Sequence, residues 1–400
     1  MKGSTLKHIA KQVNQLIKGR NDVPIWDYIM IDGDLLIATN HRCSYLNEVP
    51  NMRFDDSISR YLIHWKTWKK NFKGIKANDD IRFHCESDGN HNVLSLWKNG
   101  SKVFSYKEYD CTVDDFPKLP LTDGNVDAVT LSASDVSTMK DALKVASNDE
   151  LRPAMNGVFL DKPDRAVATD GHRLVFPPLE AKISRTTIIP PEAIKLIPDK
   201  HDCYLSYNDT NMLIVPAGTN ERINCRVIYE IYPDWKAVVP KAEAMPTKVV
   251  FNRQEMLDAM PSLLAAANDA NKRVDIDMND DNESFTISAQ DLDLGTECNM
   301  RLSCGYSVDQ PAKKKAKDYE QTERGNPILP EHLVLDKKDK SRVVSVECRG
   351  ISFNGGFLED FLKLIKTDFV KLEMIAENRA ALFNDCFMLL PVMRLDDDLS

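Results

Sequence analysis

One phrase in this chain recurs, and the recurrence limits what the chain can fold into. Ala168-Thr169-Asp170-Gly171-His172-Arg173-Leu174 follows an apolar segment that ends in an acid, Val158-Phe159-Leu160-Asp161. The same order occurs earlier as Ile29-Met30-Ile31-Asp32, a Gly-containing turn, then Leu36-Ile37-Ala38-Thr39-Asn40-His41-Arg42. A degenerate third copy reads Val274-Asp275-Ile276-Asp277, a polar turn, then Phe285-Thr286-Ile287-Ser288-Ala289-Gln290-Asp291. Self-similarity at a fixed period dictates architecture. The period is roughly 120 residues, too long for a solenoid repeat and about the size of a domain. The chain reads as one domain written three times.

Each unit opens on an amphipathic helix. Leu6, Ile9, Ala10, Val13, Leu16 and Ile17 form the first buried stripe, with Lys7, Lys11 and Lys18 on another face. Val136, Met139, Leu143 and Ala146 repeat the stripe, with Lys140 and Lys144 outside. Met256, Met260, Leu263, Leu264 and Ala267 form the third, where Pro261 predicts a kink or a late start. A second helix is expected over Tyr61–Phe72, over Pro191–Ile197, and from Phe357 to Ile365 after Asn354-Gly355-Gly356. Alternating strands fill the rest, and Asn99-Gly100 is the clearest hairpin turn. Related closing phrases, Phe116-Pro117-Lys118 and Tyr232-Pro233-Asp234-Trp235, set domains at 1–124, 125–244 and 245–400. Two helices per domain with antiparallel strands give an α+β architecture. The third unit carries a lysine-rich excess over 311–342, expected to be an inserted and partly mobile loop.

The net charge of −9 speaks against a nucleic-acid partner, but its distribution does not. Residues 1–20 carry Lys2, Lys7, Lys11, Lys18 and Arg20 with no acid, and 64–76 carry Lys66, Lys69, Lys70, Lys73 and Lys76 with none. Separated charge means separated surfaces. Nine scattered cysteines without a CxxC pair predict reduced thiols in a cytoplasm, with no structural zinc. No apolar run is long enough for a membrane span, and Met1–Arg20 lacks the apolar block of a secretory signal and is Lys-rich where a presequence would be Arg-rich.

Enzymatic readings find little support. Asp170 and His172 lack a nucleophile context, so no catalytic residue is assigned. Asp275, Asp277, Asn279 and Asp281 mimic a calcium loop, but Asp280 and Thr286 stand where that loop needs Gly and Glu. No phosphate-binding GxxxxGK[ST] occurs, and no cofactor or metal is expected.

The ATDGHRL phrase of the middle domain, Asn156-Gly157 ahead of it, Tyr232-Pro233-Asp234 through Val239-Pro240-Lys241 after it and a near-terminal Met393-Arg394-Leu395 resemble the bacterial-type DNA polymerase III beta subunit, the DNA sliding clamp. The resemblance covers the chain except 311–342 and the tail after Leu395. It implies a three-domain clamp fold, two helices per domain lining the inside and antiparallel sheets outside, closed head to tail as a homodimeric ring. It implies a processivity factor that encircles duplex DNA without reading sequence, and that tethers polymerase and clamp loader through short peptides. The implied peptide pocket comprises Met155, Thr169, Gly171, His172, Arg173, Leu174, Pro240, Asn354, Phe357, Pro391, Met393 and Arg394. Phosphate attraction needs positive charge and no base readout. Lys7, Lys11, Lys18, Arg20, Lys66, Lys69, Lys70 and Lys73 suit that role, with Lys140, Lys144, Arg152, Lys363 and Lys366 weaker because Asp141, Asp149, Glu359 and Asp360 dilute them. Phe104 and Tyr106 fall at the implied dimer interface, facing the small residues of Ala265-Ala266-Ala267-Asn268.

The chain departs from this pattern. Val392 is inserted in the terminal phrase, Asp396–Ser400 add an acidic tail, and Pro153-Ala154 stand where an aromatic pair is common. Divergence in the first domain, the 311–342 insertion and this tail suggest a phage, plasmid or otherwise specialised replicon. They also leave a second reading: a clamp-fold adaptor or competitor that binds replication proteins without forming its own ring.

Overall fold

The computed structural model describes residues 1–17, 23–49, 53–54, 60–87, 92–107, 113–119, 126–241, 244–310, 315–322 and 326–393. Six α-helices occur among them: α1 Gly3–Leu16, α2 Trp65–Lys69, α3 Ala133–Leu143, α4 Pro191–Leu196, α5 Arg253–Ala266 and α6 Gly355–Leu364. The chain divides into two compact units, Met1–Ala168 with Pro178–Tyr232, and Thr169–Pro177 with Pro233–Ser400.

In the first unit the first two repeats share one antiparallel sheet. Its strand order is Arg60–His64, Tyr28–Asp32, Leu35–Thr39, Cys43–Glu48, Glu221–Arg226, Asn211–Pro216, Cys203–Tyr207, Asp127–Leu131. The seam is the pairing of Cys43–Glu48 with Glu221–Arg226, in the register Tyr45 opposite Ile223. Burial decides what the seam must satisfy. Glu221 is buried and accepts from Tyr45 Oη at 2.6 Å, while His8 Nε2 of α1 lies 2.5 Å from the same carboxylate. Desolvation, then the Glu221 charge, raises the Tyr45 phenol well above its ordinary range. Cys43 and Cys225 face each other across the seam, and their mutual hydrogen bond, then burial, pushes the Cys43 thiol up. All eight cysteines among the described residues are free.

The recurring strand pairs form as the repeat predicts. Tyr28–Asp32 pairs with Leu35–Thr39, Val158–Asp161 with Arg165–Thr169, and Arg273–Met278 with Ser284–Asp291. The Asn99-Gly100 turn joins Asn92–Lys98 to Ser101–Lys107, both turn residues in the left-handed region at φ 51° and 82°. In the second unit nine strands follow the order Arg173–Val175, Phe387–Leu389, Ala381–Phe383, Phe369–Met374, Thr247–Asn252, Thr296–Val308, Ser284–Asp291, Arg273–Met278, Gly350–Asn354. α5 and α6 belong to this unit, as α1 to α4 belong to the first.

Three expectations change. The second helix begins at Trp65, not Tyr61. Tyr61, Leu62 and Ile63 instead form a buried strand against Tyr28–Asp32, and the helix passes at Lys70 into a 3-10 turn ending at Gly74. Aromatic and β-branched residues favour the pleated surface there. α5 starts at Arg253, capped by Asn252, and runs through Pro261, so the late start does not occur. The 311–342 excess contains structure of its own: a 3-10 turn at Ala316–Asp318, and Leu333–Leu335 pairing with Val343–Ser345 just past its end, where Leu333 and Val343 are buried. No helix among the described residues is long and apolar enough to cross a membrane.

The α2 region is held by aromatic packing. Trp68 is fully buried, with ring centroids 5.1 Å from Phe72 and 5.0 Å from Phe83. Its indole Nε1 has no hydrogen-bond partner among the described residues. Trp68→Ala is therefore expected to cost about 3–5 kcal/mol. Trp68→Phe, which keeps a ring and removes the unpaired donor, should cost less than about 1.5 kcal/mol. Denaturant unfolding of the two variants checks the difference.

Candidate functional site

The implied groove residues that fall in the second unit are organised by one turn. Strand Arg165–Thr169 ends at Thr169, and Asp170 redirects the chain into strand Arg173–Val175. Asp170 Oδ1 accepts from the backbone N–H of His172 at 2.9 Å and of Arg173 at 3.0 Å. Thr169 Oγ1 donates to the Arg173 carbonyl at 2.8 Å and accepts from Gly171 N–H at 3.1 Å. Gly171 sits at φ 93°, where a side chain would be strained. A short polar side chain that captures backbone donors two and three residues on is the reason Asp suits this position.

The turn presents a flat stack. The Arg173 guanidinium lies 4.5 Å from the centroid of the Phe357 ring, and the His172 ring is 6.0 Å from the same ring at 27°. Arg173 is fixed on both sides, by Asp170 Oδ2 at 2.8 Å and by Asp360 Oδ2 at 2.6 Å. Phe357 and Asp360 lie one helical turn apart on α6, which Asn354 caps by accepting from Phe357 N–H at 3.2 Å. Guanidinium on an aromatic face with two carboxylates around its rim is a rigid platform, not a mobile charge. Asp360, expected only to dilute positive charge, is thus an anchor of the site. Its spacing puts it on the same face of α6 as Phe357, but its partner Arg173 lies 187 residues away, so local pattern carried no signal of the contact.

The remaining groove residues separate by role. Leu174 is only 2% exposed and pairs with Met388, so it supports the wall from behind instead of lining it. Pro391 and Pro240 are half-buried, and Met393 is 75% exposed. Val392 N–H donates to the Ser352 carbonyl at 2.8 Å, which ties the terminal segment to strand Gly350–Asn354 despite the inserted residue. Met155 belongs to the first unit, buried in the 3-10 turn Pro153–Asn156. Arg394 lies outside the described residues.

The expected phosphate-binding residues divide sharply. Lys7 and Lys11 are exposed on α1, Lys69, Lys70 and Lys73 are exposed on α2 and the turn after it, and Lys66 is half-buried. Lys69 Nζ donates to Asn14 Oδ1 of α1 at 3.2 Å, beside Trp65 Nε1 on the same oxygen at 3.0 Å, so the two basic segments are joined. The later candidates are bound to acids: Lys144 to Asp141 at 2.8 Å, Arg152 to Asp149 at 3.5 Å and Lys363 to Glu359 at 2.8 Å. Lys140 is a structural residue. Its Nζ donates to the Ile197 carbonyl at 2.6 Å and to Asp199, and that hydrogen bond holds the Asp199 carboxyl below its usual range. Lys366 is exposed. Lys18 and Arg20 lie outside the described residues. The calcium-like residues are otherwise engaged, Asp275 with Arg273 at 2.8 Å and with Ser352. Among the described residues no group of three or more His, Cys, Asp or Glu could hold a metal ion.

Asp170→Ala removes two turn hydrogen bonds and one of the Arg173 anchors. The expected loss is about 1–3 kcal/mol of stability, read by thermal unfolding, with a larger loss than for His172→Ala, whose exposed ring makes no turn bond.

No family model matches the chain. The beta sliding clamp of Rickettsia felis is 25% identical over 413 residues, covering 95% of this chain and 95% of that protein. The beta sliding clamp of Rickettsia bellii is 25% identical over 265 residues, covering 62% and 61%. Among solved structures, the Pseudomonas aeruginosa sliding clamp bound to griselimycin superposes with a TM-score of 0.75 at 16% identity, covering 99% of this chain and 98% of that one. The beta subunit from DNA polymerase of Streptococcus pyogenes gives 0.74 at 18% identity, covering 98% and 99%. With the repeated turn and its strand pairs in place, these likenesses give the chain the fold of the bacterial beta sliding clamps, to which it is similar over nearly its whole length.

Proposed function

We propose that this protein is a DNA sliding clamp. It closes head to tail as a homodimeric ring of three clamp domains per chain, bounded at 1–124, 125–244 and 245–400. It encircles duplex DNA and tethers a polymerase and a clamp loader by short peptides. It has no catalytic residues and works in a cytoplasm. The family likeness carries the reading, and the distribution of unpaired lysine supports it. The ammonium groups of Lys7, Lys66, Lys70 and Lys73 form no hydrogen bond or ion pair with a described residue, whereas the side chains of Lys144, Arg152 and Lys363 each pair with an acid. Attraction to phosphate is therefore concentrated in the first domain, which suits sequence-independent holding.

The dimer is supported by two open sheet edges. Ser101–Lys107 is the last strand of its four-stranded sheet, with Phe104 and Tyr106 half-buried and Val103 49% exposed. In strand Thr296–Val308, only Cys304–Val308 pairs with Thr247–Phe251, so Thr296–Ser303 has a described strand on one side alone. Beside it the turn Asp291–Gly295 exposes Leu292 at 85% and Leu294 at 76%. An open edge bordered by apolar side chains invites another strand. Leu292 and Leu294 supply the apolar area that Ala266 and Ala267, both buried, do not.

The groove around Phe357 takes an extended peptide with two or three apolar side chains. Phe357→Ala is expected to weaken a labelled leucine- and phenylalanine-containing pentapeptide by about tenfold or more, measured by fluorescence polarisation. Reversing Lys66, Lys69 and Lys70 to Glu should shorten retention on nicked circular DNA and leave that peptide bound; equal retention removes the lining assignment. Light scattering over a dilution series tests the ring. A species near twice 45.3 kDa is expected, shifted toward monomer by Leu292→Asp with Leu294→Asp. A monomer at every concentration favours the adaptor reading.

A further inference from the structure

The first repeat carries its own copy of the turn, and a cavity of about 300 Å³ opens beside it. Asn40 Oδ1 accepts from Arg42 N–H at 2.9 Å and Cys43 N–H at 2.8 Å, as Asp170 does from His172 and Arg173. Thr39 Oγ1 donates to the Cys43 carbonyl at 3.2 Å, as Thr169 does to Arg173. Arg226 N–H donates to the Arg42 carbonyl at 2.9 Å, as Leu390 N–H does to His172 at 3.0 Å. The hydrogen bonds correspond position for position, although Gly171 sits at φ 93° and its counterpart His41 is outside the left-handed region.

The side chains differ. Trp26, His41, Arg42, Pro117, Lys118 and Arg226 line the cavity, and none of its lining residues is acidic. The Trp26 and His41 rings lie 5.6 Å apart and make an aromatic surface. In the second copy Arg173 is neutralised by Asp170 and Asp360. Here the charge is left over. Arg42 reaches Glu192 only at 4.0 Å, and Arg226 and Lys118 form no ion pair with a described residue. Three cations around one concave aromatic surface favour a ligand that brings carboxylates and an apolar side chain together.

We infer that this cavity is a second peptide site, selective for an acidic segment of a partner protein. Arg226 and Lys118 take its carboxylates, and Trp26 with Pro117 takes the apolar side chain between them. The volume admits a few side chains and excludes a duplex, whose convex backbone needs an open basic face. The site lies within one unit of one chain and does not depend on ring closure.

Fluorescence polarisation with a labelled peptide of alternating aspartate and leucine tests the assignment on the full-length protein. Binding is expected to weaken as salt rises, and to fall about tenfold in Arg226→Glu and again in Lys118→Glu. The asparagine–leucine analogue should not bind, and Phe357→Ala should bind as the unaltered protein does. Both altered cations are exposed, so folding is expected to survive; circular dichroism of each variant checks this. Undiminished binding in the two charge-reversal variants overturns the proposal. So does loss in Phe357→Ala, which moves the peptide to the other groove, or displacement by a short oligothymidylate, which makes the cavity a nucleic-acid site. Binding retained by a monomeric Leu292→Asp, Leu294→Asp variant supports the site even where the ring reading fails.

Discussion

The structure depends on one local interaction, made three times. At the end of the second strand of each repeat, a short side-chain oxygen captures the backbone N–H groups two and three residues on: Asn40 for Arg42 and Cys43, Asp170 for His172 and Arg173, Asp291 for Asp293 and Leu294. A strand end that turns sharply leaves donors without a ladder partner, and each buried orphan costs about 1–3 kcal/mol. An Asx side chain satisfies two at once and fixes the direction in which the next segment leaves. That direction sets the register of the neighbouring strand, and a slip of one residue would exchange core and solvent faces.

What each copy presents follows from the residues that fill the fixed positions. In the second copy a glycine in the left-handed region precedes His172 and Arg173, and both rest on Phe357. In the first copy the corresponding position is His41, tilted against Trp26 at 39° and lining a cavity with three cations. In the third it is Leu292, exposed beside an open strand edge. One turn device thus supports an arginine–aromatic stack, a charged cavity and an apolar edge. Divergence of function among the repeats requires no change of fold, only of the few side chains the turn holds outward.

Much of this was legible in the chain. The strand pairs could be read because Ile29–Asp32, Val158–Asp161 and Val274–Asp277 each end an apolar run on an acid before a turn, and five of the six helices follow apolar periodicity or a proline start. The Tyr61–Ile63 segment misled because its apolar run is also compatible with a helix; only pairing with Tyr28–Asp32 settles it as a strand. Site residues on the repeated phrase were legible, since they are local to the turn. The Asp360 anchor, the unpaired Arg226 beside Trp26, and the open edge at Thr296–Ser303 were not. Each depends on segments far apart in sequence, which periodicity does not bring together. Leu174 illustrates the converse: the phrase offers it as a groove residue, and only the opposing strand at Met388 places it in the core.

Charge is sorted by the same logic of pairing. A chain with 61 acidic and 52 basic side chains can still present positive surfaces if acids are spent elsewhere. In α3 and α6 they are spent on the helix's own lysines, through Asp141 with Lys144 and Glu359 with Lys363. Exposed pairs of this kind add little stability, about 0.2–1 kcal/mol, but they cancel the local potential. α1 and the α2 segment contain no acid over 1–16 and 65–74, so none of their lysines is cancelled by its own helix, although Lys11 feels Asp199 from another element. Positive potential here is therefore set less by how many lysines a helix carries than by whether an acid lies three or four residues away. Introducing such an acid beside Lys70 would silence the segment without removing a single cation.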